Sequence, residues 1–147
     1  GITNELGKLN PGAELIIRDV WGANSYKGKG VFIAGGAGIT PFISIFRELR
    51  TKNEIPGNTL IFANKTKADI ILESELSEML GNSFINILSD EKVDNYFHGI
   101  ISEDFLKNHI SDLNRKFYIC GPPPMMDAIL KQLANLGVGE NSITLEL

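Results

Sequence analysis

The sequence has a single cysteine, Cys120, among its 147 residues. No intrachain disulfide can form, which suits a reducing cytosol. Cys120 and the two histidines, His98 and His109, supply no metal-ligand spacing, and one thiol cannot hold an iron–sulfur cluster. Basic residues are in the minority, with 14 Lys and Arg against 18 Asp and Glu and a formal net charge of -4. No basic face is forced by this balance, so nucleic acid is not an expected partner. No apolar run is long enough to span a bilayer, and no cationic, apolar, small-residue leader opens the chain. The patterns G-x-x-x-x-G-K-[ST] and G-x-S-x-G do not occur, so P-loop ATP hydrolysis and serine hydrolysis lack their usual marks. Internal repeats and low-complexity tracts are missing too.

What remains is an ordinary globular composition, 43% hydrophobic and 22% charged, in a chain long enough to bury a core unaided. Short apolar runs alternate with helical periodicity. Strands are expected over Gly30–Ala34, Asn58–Asn64, Ser83–Leu88, Lys116–Cys120 and Ser142–Glu146. Helices are expected over Thr40–Arg50, Asp69–Leu80, Ser102–Ile110 and Pro124–Leu136. Ser102 reads as a helix cap, with Glu103 in the first turn. This alternation predicts a doubly wound, Rossmann-like sheet of five parallel strands with helices on both faces. Ligands of such sheets sit beyond the carboxyl ends of the strands.

The opening segment does not share this pattern. A turn at Asn10–Gly12, a strand at Glu14–Asp19 and a polar linker at Ala23–Lys29 read as the last hairpin of an antiparallel domain. The expected division is 1–27 as a remnant of that domain and 28–147 as the α/β domain. On this reading the chain begins inside a larger protein.

Two loops carry the chemistry. The first is "VFIAGGAGITPFISIF", Val31–Phe46, where a strand runs into Gly35, Gly36 and Gly38. Glycines there allow unusual dihedrals and close ligand approach, and the following helix start favours an anion such as pyrophosphate. Thr40 is the expected cap. Pro41 then occupies the first helical position, where its missing N–H is no loss. A tight turn without a ligand would use the same residues. The common dinucleotide fingerprint also wants an acid directly after the second strand, whereas this chain has Asn64, Lys65 and Thr66, with Asp69 beyond. The second loop is "YICGPPPMM", Tyr118–Met126, which brings Cys120 and Gly121 to the carboxyl edge of the sheet. Cys120 is read either as a small buried apolar residue or as a nucleophile with a histidine base, for which His98 and His109 are poorly situated.

Together, in this order and spacing, these loops resemble the pyridine-nucleotide domain of the ferredoxin–NADP reductase superfamily. "AGGAGITPF" is similar to that family's G-x-G-x-x-P turn and "CGPPPMM" to its C-G-P-P-x-M motif. "FANKTKADIILESEL" resembles the segment after the second strand in NADH-using cytochrome reductases and related flavodoxin and oxygenase reductases. "ITNELGKLNPGAELIIRDVWG" resembles the end of their flavin-binding barrel. The resemblance implies an oxidoreductase in which hydride passes between NAD(P)H and FAD, and electrons then pass to a flavodoxin-, ferredoxin- or cytochrome-type partner. It implies a pyrophosphate and nicotinamide-ribose contact for Gly36, Gly38, Thr40 and Pro41. Cys120 would stand beside the nicotinamide, in a pocket shaped by Gly121, Pro122 and Met125. Asn64, Lys65, Thr66 and Asp69 would meet the adenosine ribose, and Glu146 corresponds to a C-terminal acid near the cysteine. Asp69 favours NADH over NADPH by repelling a 2′-phosphate, although Lys65 and Lys67 oppose it. The family's flavin motif R-x-Y-[ST] does not occur here. Thr3 alone resembles a flavin-phosphate contact, so FAD is expected in the full-length parent and is not expected to be retained by this chain. The other readings are a regulatory nucleotide-binding module of the same fold and the reductase arm of an oxygenase or flavohaemoglobin.

Overall fold

The computed structural model describes residues 26–145. Thr3, Glu146 and the expected hairpin at Asn10–Gly12 and Glu14–Asp19 lie outside the described residues.

Strands and helices alternate as β1 (Gly30–Gly35), α1 (Thr40–Thr51), β2 (Thr59–Asn64), α2 (Glu73–Leu80), β3 (Phe84–Leu88), β4 (Phe97–His98), α3 (Glu103–His109), β5 (Lys116–Cys120), α4 (Pro123–Asn135) and β6 (Ile143–Leu145). The sheet order is β4-β3-β2-β1-β5-β6, and the neighbours pair in parallel throughout. Among the described residues the sheet thus has six strands where five are expected. The additional strand, β4, is two residues long and pairs Phe97 with Ile87 and His98 with Leu88. It has too few residues to show alternation, and its pairing with β3 defines it.

Side chains of β1 alternate between two cores, as the pleat demands. Phe32 and Ala34 join Phe42, Phe46 and Leu49 of α1 and Leu76 of α2 on one face. Val31 and Ile33 join Leu106 of α3 and Ile129 and Leu133 of α4 on the other. Helices therefore cover both faces, and β1 reads as a continuous apolar run because both its faces are buried. Phe32 is the hub of the first core. Its ring stacks on Tyr118 at 4.4 Å and meets Phe46 at 4.7 Å and Phe42 at 5.0 Å. Fully burying such a ring contributes about 2–3 kcal/mol.

Two buried polar groups secure the lower end of β1. Asn58 Oδ1 accepts from the Gly30 N–H at 3.0 Å, while its Nδ2 donates to the carbonyls of Ile55 at 3.0 Å and Glu54 at 3.3 Å. The Tyr118 hydroxyl accepts from the Lys27 N–H at 2.8 Å and donates to the Gly28 carbonyl at 2.6 Å. Burial pushes the Tyr118 hydroxyl pKa up to about 12. The stretch Tyr26–Gly28, expected at a boundary, is thereby tied to the sheet.

Helix starts differ from expectation at two places. Ser102 caps α3, its Oγ accepting from the Phe105 N–H at 3.1 Å, as expected. The second helix begins at Glu73 and not at Asp69. Thr66 and Asp69 close a capping box around a single tight turn, and Leu72 follows with a left-handed φ of 53° that interrupts the helix. The other departure, at Thr40, belongs to the glycine turn described below.

Asn58→Ala would leave the Gly30 N–H without its partner in the core. We expect a loss of about 2 kcal/mol, read from the midpoint of urea unfolding at unchanged slope. A loss below about 0.5 kcal/mol would show that this bond does not hold β1 in register.

Candidate functional site

Because β1 pairs with β2 on one side and β5 on the other, its carboxyl end is where the direction of strand order reverses. The turn after β1 and the turn after β5 meet there. Ala34 is level with Cys120 in the sheet. Beyond them, Gly38 packs against the Cys120 carbonyl so closely that a Cβ on Gly38 would overlap the carbonyl oxygen. A Cβ on Gly35 would overlap the Met125 sulfur. Gly36 differs from both. Its φ is +54°, and a Cβ there would meet nothing within 4 Å. Two glycines thus let the turns touch, and the third supplies a left-handed bend beside open space.

Gly36–Ile39 forms a tight helical turn that continues into α1 at Thr40. The first amides of such a run have no partners within it. Thr40 is not the cap expected: it is helical, with φ -54° and ψ -49°, and its hydroxyl donates to the Ala37 carbonyl at 3.0 Å. Pro41 sits in the first turn of α1 and is buried. The start of α4 contrasts with this. Pro122, Pro123 and Pro124 occupy it and bring no N–H at all.

Two adjoining clefts open at this edge. The larger, about 740 Å³, is lined by Gly35, Gly36 and Ala37, by Asn64, Lys65 and Asp69 after β2, and by Met125 and Gln132 of α4. Exposed Ile71 and Ile100 stand at it, with Ser89. The smaller, about 620 Å³, is lined by Gly38, Cys120, Gly121 and Leu145 among others. Gly35, Ala37 and Pro122 border both. Thr40, Pro41 and Thr66 line neither.

Some polar groups in and beside the larger cleft are already engaged. Asp69 Oδ2 accepts from the Thr66 amide at 3.2 Å and from its hydroxyl at 3.0 Å. Lys67 pairs with Glu73 at 3.6 Å and sits 5.7 Å from the centre of the Tyr96 ring. Tyr96 also donates to Glu73, and that bond raises its pKa to about 12. Others have no partner. Both amide atoms of Asn64 and the Gln132 Oε1 are buried without a hydrogen bond. Asn64 was legible in the sequence; Gln132, Ser89 and Ile100 were not, because only the folded chain brings them to the cleft.

Neither histidine lines the Cys120 cleft. His98 lies on β4, separated from β5 by three strands and so by roughly 19 Å. A cysteine–histidine nucleophile is therefore excluded for this pair. Among the described residues no group of His, Cys, Asp and Glu could hold a metal, and no helix is long and apolar enough to cross a membrane.

Residues 32–131 match the family model described as "Oxidoreductase NAD-binding domain". The NADH-cytochrome b5 reductase 2 of Mycosarcoma maydis is 30% identical over 143 residues, covering 87% of this chain and 41% of its own length. A component of the Na(+)-translocating NADH-quinone reductase of Yersinia enterocolitica is 26% identical over 160 residues, covering 99% of this chain and 39% of its own. The chain thus spans well under half of these relatives. The flavohem-like FAD/NAD-binding domain of nitric oxide dioxygenase from Vibrio cholerae superposes with a TM-score of 0.74 at 26% identity, over 82% of this chain and 52% of that one.

The packing predicts an order among glycine substitutions. Gly38→Ala forces main chain against main chain and should destabilise by about 2–3 kcal/mol. Gly36→Ala meets only conformational strain and should lose about 1 kcal/mol. Chemical denaturation of the two variants checks this, and equal losses would contradict the close approach of the two turns.

Proposed function

Since the chain belongs to the oxidoreductase NAD-binding domain family, within the ferredoxin–NADP reductase superfamily, we propose that it is the NAD(P)H-binding part of an FAD-dependent oxidoreductase. In the whole protein, reduced nicotinamide would pass hydride to the flavin, and electrons would then pass to a one-electron carrier protein. Residues 28–147 would be the nucleotide domain and 1–27 the end of the flavin-binding barrel, with Thr3 at the flavin phosphate. A cytoplasmic location is part of this reading and rests on the single thiol.

The observation that carries it is the pair of clefts joined across the glycine turn. A dinucleotide has two halves linked by a diphosphate, and the clefts have two lobes linked by Gly35 and Ala37. Each lobe has a volume in the range usual for small-molecule sites. The donor distribution agrees. A diphosphate is best held by the amides that begin the Gly36–α1 run, which have no partner within that run, with their positive dipole end. An uncharged nicotinamide ring suits the proline-lined start of α4, which has few donors to offer an anion.

On this reading Gly36 and Gly38 border the diphosphate, with Thr40 and Pro41 holding the turn from behind. Cys120, Gly121 and Pro122 would shape the nicotinamide side, with Glu146 near Cys120, whereas Met125, expected in that same pocket, lines the larger cleft. Cys120 would set ring position and polarity and would not attack as a nucleophile. Asn64, Lys65 and Asp69 would face the adenosine ribose, with Thr66 orienting the Asp69 carboxylate. The names of the two curated relatives both specify NADH. Asp69 supports the same choice here, and Lys67, committed to Glu73 and Tyr96, is less available to a 2′-phosphate. The Vibrio cholerae neighbour keeps a dioxygenase reductase arm within the same proposal.

Titration calorimetry should show NADH binding more tightly than NADPH, and Asp69→Ser should narrow the gap several-fold. Tighter NADPH binding to the unmutated chain would overturn the cofactor choice, and binding of neither would overturn the function. In the full-length protein, Cys120→Ala should slow single-turnover flavin reduction at least tenfold while leaving the fold intact. An unchanged rate would remove Cys120 from the reaction.

A further inference from the structure

Among the described residues four large apolar side chains are exposed: Ile71, Leu72, Phe97 and Ile100. Single exposed apolar residues are ordinary, but two of these four, Ile71 and Ile100, line the same larger cleft. They come from different connections, Ile71 from the one between β2 and α2 and Ile100 from the one between β4 and α3. Ile71 is 39% exposed and Ile100 76%. We propose that these two side chains clamp the base of the bound dinucleotide, holding the adenine ring between them. This inference rests on the dinucleotide reading above.

Three observations support that placement. First, the two isoleucines belong to opposite sides of the sheet. Ile71 follows Ile70, which is buried in the core that α1 and α2 cover. Ile100 precedes Ile101, which is buried in the core that α3 and α4 cover. Each buried isoleucine anchors its connection, and its exposed neighbour borders the cleft. The backbone takes a positive φ beside each exposed one, +127° at Gly99 and +53° at Leu72. The second is costly for a leucine, and such strain concentrates at ligand sites. Second, neither isoleucine lines the cleft that contains Cys120. Across the Gly35–Ala37 junction from the nicotinamide lies the adenosine end of a dinucleotide. Its ribose suits the polar Lys65, Asp69 and Ser89 of this cleft, which leaves the apolar walls for the base. Third, among the described residues no aromatic side chain lines the larger cleft. A flat ring there has no second ring to stack on, and aliphatic contact is what the walls offer. Such contact removes apolar surface of both protein and base from water. The other two exposed residues differ. Phe97 already packs edge-on against Phe105 at 5.5 Å and His109 at 4.5 Å, and neither Phe97 nor Leu72 lines the cleft.

The test is calorimetry with NADH and with ADP-ribose, which keeps the adenine and the diphosphate but lacks the nicotinamide. Ile100→Ser should weaken both ligands alike, by roughly tenfold, and Ile71→Ser by roughly fivefold. Ile100→Leu, which keeps the apolar area, should bind both within about twofold of the unmutated chain. Leu72→Ser removes a neighbouring exposed side chain outside the cleft and should change neither affinity. Ile100 is largely exposed, so its variants should unfold at the urea midpoint of the unmutated chain. Unchanged affinity of Ile100→Ser for both ligands would overturn the proposal. So would an equal loss in Leu72→Ser, or a loss in Ile100→Leu as large as that in Ile100→Ser. A loss confined to NADH would move Ile100 to the nicotinamide end and overturn it too. NADH binding that is indifferent to both isoleucines removes only this inference, whereas no binding of any dinucleotide to the unmutated chain removes the underlying reading with it.

Discussion

Gly38 lies against the main-chain carbonyl of Cys120 with no room between them for a methyl group. That contact brings the turn after β1 and the turn after β5 together at the reversal point of the sheet. The register of the two strands, with Ala34 level with Cys120, makes the meeting unavoidable. Phe32 and Tyr118, stacked one pleat step below, hold the strands at that level from inside the core. Asn58 and the Tyr118 hydroxyl secure the opposite end. Core packing and site geometry are therefore one arrangement, since a shift in β1 would separate the two turns and divide the clefts differently.

The two helix starts that border the clefts have opposite chemistry. The run beginning at Gly36 opens with main-chain donors and a left-handed residue beside open space. The start of α4 has three prolines in succession and an apolar surface with Met125. One edge of the sheet thereby sets main-chain donors next to an apolar surface with few donors. A ligand carrying a diphosphate between two heterocycles matches both, and this complementarity supports the proposed function independently of any relative.

Much of this was legible in the sequence. The glycine turn, the "CGPPPMM" loop and the apolar runs of β1 and β5 depend on local dihedral needs and on burial from both faces, and both leave marks in composition and spacing. Ser102 announced its cap by its residue type and the acid that follows it, and its Oγ accepts from the Phe105 N–H. Other features left no such mark. The strand β4 exists through its pairing with Ile87 and Leu88. The late start of α2 follows from a left-handed Leu72, a residue type with no preference for that conformation. Thr40 was expected as a cap, yet the tight turn before it already continues the helical run. Gln132 carries no mark in the sequence that sets it apart from the other polar residues of its helix. Its unpartnered oxygen comes from long-range packing of α4 on the Gly99–Ile101 strap, which no local pattern records.

The central claim is that the junction of the two turns is where the diphosphate of a nicotinamide dinucleotide rests. A crystal structure of this chain grown with NADH tests it most directly. The account predicts diphosphate oxygens within hydrogen-bond distance of the main-chain amides of Gly36 and Ala37, with one heterocycle in each cleft. A dinucleotide bound away from the glycine turn, or with both rings in one cleft, would contradict it.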